Sequence, residues 1–364
     1  MEAPMDEAVR LARSAAGNTF PNPLVGSVLV RDGVVLGSGF HLQAGGFHAE
    51  VNAIKSSGDV RDATLYVTLE PCAHEGRQPP CVLEIIRAGV RKVVIGALDP
   101  NPITAGRGVQ SLRNAGVEVS ILNDPASFAL IRDFRVWING ALPYVSLKMA
   151  SSVDGFVATK VGERLPLTGD AWRSNVQRLR FEHQAVMVGA GTVLVDNPRL
   201  VVDRGSRAVA FRRIVVAGRR PMNPTANVFL SEKGYLRTIV LVPESGAGAE
   251  WVGHLREVAD VLPCPDRDGV VDLPKGLRLL RDAYGIVSII SEGGPMFAKN
   301  LLEEDLVETI YWAYAPRLLA SPGAVAAISP EFGDISRLRF HLVNVENLGG
   351  DVSAEFWRDR IDRV

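Results

Sequence analysis

Two periods of apolar residues interleave along the first third of the chain. Residues 5–16 set Val9, Leu11, Ala12 and Ala15 among charged neighbours, the spacing of a helix with one buried face. PNPLVG at 21–26 is too proline-rich for a helix and reads as a loop entering a strand. Runs from Val25 to Val30 and from Val34 to Gly39 flank Arg31, Asp32 and Gly33, a hairpin signal because glycine tolerates positive φ. Strands are expected at Thr64–Leu69, Lys92–Ala97 and 117–121, and helices at 48–56, 81–88 and 107–115. Strands alternating with helices imply a layered α/β domain.

Residues 122–143 contain Asp124-Pro125 and end in Asn139, Gly140 and Pro143, which places a boundary near residue 143 and divides the chain into domains 1–143 and 144–364. Beyond it, Pro143 to Ala150 starts a strand and SSVDG turns out of it. Arg173–Phe181 reads as a helix, and Ala185–Gly189 as a strand running into a loop at Gly189–Thr192. Short β-rich runs recur at 213–217, 238–242 and 286–290, the pattern of a mostly parallel sheet. Ser291–Pro295 follows the last of these and precedes a helical run, Met296–Leu302. Alternation in FHLVNVENL and DVSAEFW suggests a closing antiparallel pair.

The 364 residues leave room for two cores. A formal net charge of -1 gives no global attraction to nucleic acid or to a membrane surface. No run of about 18 apolar residues is present, and the N-terminus lacks the apolar centre of a signal peptide. Three cysteines make no disulfide framework, so a reducing cytoplasm is the expected compartment.

Two of those cysteines carry chemistry instead. HAEVNAI begins at His48, and TLEPCAHEGRQPPC contains Cys72 and ends at Cys81. One imidazole and two thiols are a catalytic zinc set, three protein ligands with a fourth position for water. Metal coordination lowers the pKa of water to about 7, so hydroxide forms near neutrality. Glu50, two residues after the histidine, is left free to carry a proton from that water to a ring nitrogen and then to departing ammonia. H-x-E followed by P-C-x-x-C marks zinc nucleobase deaminases, but here eight residues separate the cysteines. A closed structural zinc staple is the alternative.

PNPLVG, HAEVNAI, TLEPCAHEGRQPPC and DPNPITAGRG, in this order and spacing, resemble the deaminase half of the bifunctional riboflavin-biosynthesis deaminase/reductase family. The resemblance implies zinc on His48, Cys72 and Cys81, proton transfer by Glu50, and a substrate pocket lined by Asn22, His41, His74, Arg77, Asp99 and Asn101. LKMASSVDG, TVLVDNPRL and the two glycine turns resemble the reductase half, which uses NADPH. There the implied cofactor residues are Ala150, Thr192, Asp196, Gly293, Gly294, Pro295, Met296 and Phe297. Lys148, Asp196 and Glu292 are implied in catalysis, and Arg180 and Leu200 in substrate binding. The implied fold is a cytidine-deaminase-like three-layer α/β/α domain followed by a dihydrofolate-reductase-like α/β domain.

This chain departs from the family at four places. Gln78 stands where threonine is usual, Arg164 replaces a serine, Pro166 replaces a tryptophan, and Asp203 replaces a phosphate-binding arginine. Arg204, one step later, or Arg164 is then the candidate for the substrate phosphate, since arginine forks suit phosphate oxygens. Arg219 and Arg220 read either as partners for a cofactor 2′-phosphate or as a solvated pair.

The expected function is zinc-dependent deamination of a phosphoribosylaminopyrimidine followed by NADPH-dependent reduction of its ribosyl group. Partners are then a small-molecule substrate and further copies of the chain, as a homodimer or tetramer, with no nucleic acid and no membrane. The alternatives are a deaminase with a degenerate or retargeted reductase-like domain, a nucleic-acid base deaminase, and a zinc-stapled regulator.

Overall fold

Alternation along the early strands sorts side chains onto two faces. Leu29, Leu65, Val67, Val93 and Ile95 share one core, whereas Val28 and Val94 enter another. These residues lie on β1 (Gly26–Arg31), β3 (Thr64–Leu69) and β4 (Lys92–Ala97), which with β2 (Val34–Phe40) and β5 (Glu118–Ile121) form a sheet of order β2-β1-β3-β4-β5. The β1–β2 and β1–β3 pairings are antiparallel and the other two are parallel. The computed structural model describes residues 4–75, 78–202, 211–231, 236–328, 335 and 337–359, and the chain separates into two compact units, Met1–Ala141 and Leu142–Val364.

In the first unit, α2 (Ala49–Ser56), α3 (Cys81–Arg87) and α4 (Arg107–Asn114) cover one face through Ala53, Val82, Ile85, Val109 and Leu112. Helices α1 (Pro4–Arg13) and α5 (Pro125–Leu130) cover the other through Met5, Ala8, Val9, Ala12 and Leu130. Each fully buried aliphatic side chain contributes about 1.5–3 kcal/mol, so both layers are held firmly. The result is a three-layer α/β/α unit. Gly39 on β2 lets α2 approach closely, because a Cβ there would sit 2.4 Å from the Ala53 nitrogen.

The sequence reading named no element between β5 and the boundary near residue 143. That stretch forms α5 and then α6 (Arg132–Asn139). Asp124 caps α5 by accepting from the Ser127 amide at 2.8 Å, with Pro125 at the first helical position. At six residues α5 is too short to show a period.

The second unit holds a nine-stranded sheet. Its order is β11 (Asp260–Cys264), β10 (Ile239–Pro243), β9 (Arg212–Val216), β8 (Ala185–Gly189), β14 (Ser288–Ser291), β6 (Tyr144–Ser152), β15 (Thr309–Ala315), β18 (Asp351–Arg358) and β17 (Phe340–Leu348). Neighbours are parallel from β11 to β15, and β15, β18 and β17 close the sheet antiparallel. Two small ribbons, β12 (Asp266–Arg267) with β13 (Val270–Val271) and β7 (Phe156–Ala158) with β16 (Val325–Ala326), lie outside it. One face packs on α7 (Asp170–Glu182), α8 (Ala190–Asp196) and α9 (Glu250–Val258), the other on α10 (Leu273–Tyr284) and α11 (Pro295–Glu303). Strands β11 and β15 and helix α8 were not expected from sequence. The segment after Gly189 enters α8 directly where a loop was expected, burying Ala190 and Val193.

Candidate active sites

Three elements of the first unit meet at one point. His48 is the N-cap of α2 and lies just outside the helix expected to contain it, while Cys72 follows β3 and Cys81 opens α3. His48 Nδ1 is 3.1 Å from Cys81 Sγ and 3.5 Å from Cys72 Sγ. The donor atoms all lie within 4.8 Å of one another. One nitrogen and two sulfurs at that spacing fit a zinc ion. Hydrogen bonding from Cys81 and His48 holds Cys72 far below the usual thiol range, at about 4, and the same contact pushes Cys81 up. A divalent cation would replace the proton the two sulfurs share.

Glu50, in the first turn of α2, is only 3% exposed. Burial pushes its carboxyl up to about 7, against the pull of nearby His48. A carboxyl in that range can both accept and release a proton at neutral pH.

Beside the sulfurs, His41 and His48 meet edge to face with ring centroids 5.4 Å apart. Asn22 donates from Nδ2 to His41 Nε2 at 3.0 Å, which leaves His41 Nδ1 to donate to the Phe47 carbonyl at 3.1 Å. One neutral tautomer satisfies both bonds, in keeping with a pKa lowered by burial. Asn52 donates to the carbonyls of Phe40 and Phe47 and so fixes the loop carrying His41; sequence reading did not single it out. Gln78 reaches Gly45 O at 3.4 Å, tying the loop between the thiols to the same segment. His74 is exposed on that loop, and Arg77 lies outside the described residues. Asp99 and Asn101 serve their own loop. Asp99 accepts from the Asn101 amide and the Thr104 hydroxyl, and Asn101 from the Ile103 amide.

In the second unit the polar cluster gathers around Glu292, which follows β14 and is buried. Arg180 of α7 donates to it twice, at 2.5 and 2.9 Å, and to the Val201 carbonyl at 2.8 Å. Lys148 Nζ on β6 lies 3.8 Å from the same carboxylate. Burial alone would raise Glu292, but Arg180 and Lys148 together hold it below the usual carboxylate range. His183, not found from sequence, bridges the Leu179 carbonyl and the Ser146 hydroxyl beneath this cluster.

The two glycine turns are joined, since Gly294 donates to Thr192 Oγ1 at 3.2 Å. A Cβ on Gly293 would come within 2.4 Å of the Phe297 ring, so no larger residue fits there. Gly191 and Gly294 face open space and present bare backbone, a surface that suits a pyrophosphate. Met296 is exposed, whereas Phe297 and Leu200 turn their side chains into the core, leaving only backbone for a ligand. Ala150 is half-buried against the α7 side. Asp196 has a neighbour that sequence could not reveal: Arg164 Nε is 3.9 Å from its carboxylate. Pro166 O accepts from Arg317. Arg219 and Arg220 are exposed, with Arg219 lying against Gly269. Asp203 and Arg204 lie outside the described residues.

Comparison with known proteins assigns both halves. Residues 143–354 match the family profile of the RibD C-terminal domain, and residues 1–97 match the zinc-binding region of cytidine and deoxycytidylate deaminases. The riboflavin biosynthesis protein RibD of Actinobacillus pleuropneumoniae is 38% identical, over 97% of this chain and 94% of its own.

The chain belongs to the RibD family.

RibD of Bacillus amyloliquefaciens is 35% identical over 96% of this chain and 94% of its own. A crystal form of Acinetobacter baumannii RibD superposes with a TM-score of 0.83 at 34% identity, covering 98% of each chain. The Thermotoga maritima diaminohydroxyphosphoribosylaminopyrimidine deaminase/5-amino-6-(5-phosphoribosylamino)uracil reductase superposes with a TM-score of 0.81 at 32% identity, over 98% of this chain and 97% of its own. RibD proteins are bifunctional enzymes of riboflavin biosynthesis, a deaminase joined to a reductase, and this chain has both parts. Among the described residues no helix is long and apolar enough to cross a membrane.

Proposed function

We propose that the first unit deaminates a diaminopyrimidine ribotide at the His48–Cys72–Cys81 cluster, and that the second reduces the ribosyl group of the product beside Lys148 and Glu292. The observation that supports this reading is a polar centre in each unit, His48, Glu50, Cys72 and Cys81 in the first and Lys148, Arg180 and Glu292 in the second. The deaminase is assigned to residues 1–143 and the reductase to 144–364, in line with the two family matches.

In the first centre His48, Cys72 and Cys81 would hold zinc, a Lewis acid that makes hydroxide available near neutral pH. Glu50 takes the proton of the attacking water and passes it to the pyrimidine ring nitrogen. The carboxylate then takes the proton of the newly added hydroxyl and gives it to the amino group as the carbon–nitrogen bond breaks, so that ammonia leaves and a ring carbonyl remains. The bonded pair Asn22 and His41 and the loop of Asp99 and Asn101 orient the base. His74 and Arg77, implied by the resemblance to line the pocket, would meet the phosphoribosyl end of the substrate.

In the second centre Thr192, Asp196 and the backbone at Gly293–Phe297, with Ala150, would hold NADPH, which supplies hydride. As hydride adds to C1′, the C1′–O4′ bond opens and O4′ needs a proton. Lys148 is the available donor, and Glu292, 3.8 Å away, aims it. Arg180 fixes Glu292 and, through Val201, the backbone beside Leu200. Arg164 or Arg204 takes the substrate phosphate in place of the family's arginine.

An assay on the purified, zinc-loaded protein tests both halves, with ammonia release and NADPH absorbance followed separately. Calorimetry with NADPH alone isolates the second centre, and absence of binding would remove the reductase.

A homo-oligomer fits the closing strand β17, whose exposed Leu342, Val343 and Val345 leave an uncovered apolar sheet edge. Light scattering distinguishes monomer, dimer and tetramer. Three free cysteines fit a cytoplasmic enzyme. The near-neutral charge fits a small-molecule substrate better than nucleic acid.

A further inference from the structure

One buried carboxylate of the first unit takes no part in the chemistry described so far. Glu70 lies between β3 and Cys72 and is 6% exposed. Its Oε2 accepts from the amides of Asp99 at 3.2 Å and Gly106 at 2.9 Å, and its Oε1 from the amide of Val109 at 3.1 Å. Its own amide donates to Ala97 O, so the backbone is fixed as well.

These bonds add a side-chain link between two segments that the β3–β4 pairing already sets side by side. Gly106 is the N-cap of α4 and has no side chain with which to cap it. Glu70 supplies the missing acceptor from the segment that follows β3, at the positive end of the helix. The fit is close, because a Cβ on Gly108 would sit 2.1 Å from Pro71 O.

The loop tied down in this way is knotted internally. Asp99 and Asn101 hold its amides, and Thr104 and Ala105 donate back to Asn101 O. Outside the loop, Asn139 donates to Pro100 O at 2.9 Å. The segment is braced within itself, and Glu70 adds a side-chain link from it to the end of the strand that delivers Cys72.

We infer that Glu70 is a positioning residue for substrate binding. It sets the place of the Asp99–Asn101 loop relative to the cysteine ligands, and so the register of the pyrimidine against the reacting centre. This rests on the deaminase reading above.

Glu70→Gln tests it, since the carboxamide keeps the shape but cannot accept at both atoms. KM for the diaminopyrimidine ribotide should rise about tenfold, the equivalent of one buried hydrogen bond to a charged acceptor. The kcat, the zinc content and the reduction of separately supplied deaminated product should stay near wild type, and Glu70→Asp should recover part of the KM. An unchanged KM in the zinc-loaded variant, or a fall in kcat that tracks zinc loss, would overturn the inference. If Glu70→Gln loses both activities, Asn139→Ala decides through the loop's other anchor: a smaller rise in KM supports the positioning role and an unchanged KM overturns it. Wild type releasing no ammonia would instead remove the deaminase reading itself.

Discussion

Glu50 and Glu292 are both buried carboxylates at the heart of a polar centre, yet they shift in opposite directions. Glu50 has no arginine or lysine contact among the described residues, and burial carries it up to about 7. Glu292 is gripped by Arg180 and faced by Lys148, and their attraction outweighs the same burial. Desolvation sets the size of the problem, and the neighbouring charges decide its sign. A proton carrier needs the first arrangement. A fixed negative charge that aims a lysine needs the second.

The sharpest way to break this contrast is Glu50→Gln. It should lower kcat for deamination by about 10²–10⁴-fold, the usual contribution of a positioned acid–base group. Zinc content and product reduction should be retained, and metal loss from the variant would turn Glu50 into a ligand. Removing zinc with a chelator should abolish ammonia release, restored by added zinc, while NADPH oxidation with the deaminated product continues. A reduction rate that fell with the metal would undo the separation of the centres.

Glu292→Gln removes the buried negative charge that Arg180 and Lys148 face. Reduction should fall by more than tenfold, and urea unfolding of the second unit should show a loss of about 3 kcal/mol, as when one partner of a buried pair is removed. The same variant carries a pH signature. The folded pKa of Glu292 is depressed below 4.5, so its stabilising contribution is full above that value and lost as pH falls through the folded pKa. Wild type should therefore lose stability below about pH 4.5 more steeply than Glu292→Gln; parallel acid melts would contradict the ion-pair account. The smallest effect belongs to Arg164→Ser. Its contact with Asp196 is long and solvent-exposed, so stability should move by no more than about 1 kcal/mol. A rise in the reductase KM for substrate, without change in NADPH affinity, would mark Arg164 as a phosphate partner.

The two centres also differ in how far sequence exposed them. His48, Cys72 and Cys81 use scarce residue types within one short segment, Glu50 stands two residues from the histidine, and zinc chemistry restricts what such a set can mean. Lys148, Arg180 and Glu292 are common residues far apart in the chain, brought together only by the β6–β14 pairing and by α7. Nothing but family resemblance could connect them. The strand–helix alternation of the first unit was readable because its strands alternate between two cores. Helix α5 was hidden by its length, and α8 by a glycine turn that passes straight into helix. Leu200 and Phe297 show a further limit. Resemblance places them near ligands, but only the structure shows that their side chains face the core.

The central claim is that both centres are complete in this chain despite Arg164, Pro166 and Asp203. Its most direct test supplies zinc-loaded protein with the diaminopyrimidine ribotide and NADPH and records ammonia and NADPH together. The account predicts ammonia release followed by stoichiometric NADPH consumption. Ammonia with no NADPH consumed would contradict it and leave the second unit without the reaction assigned to it.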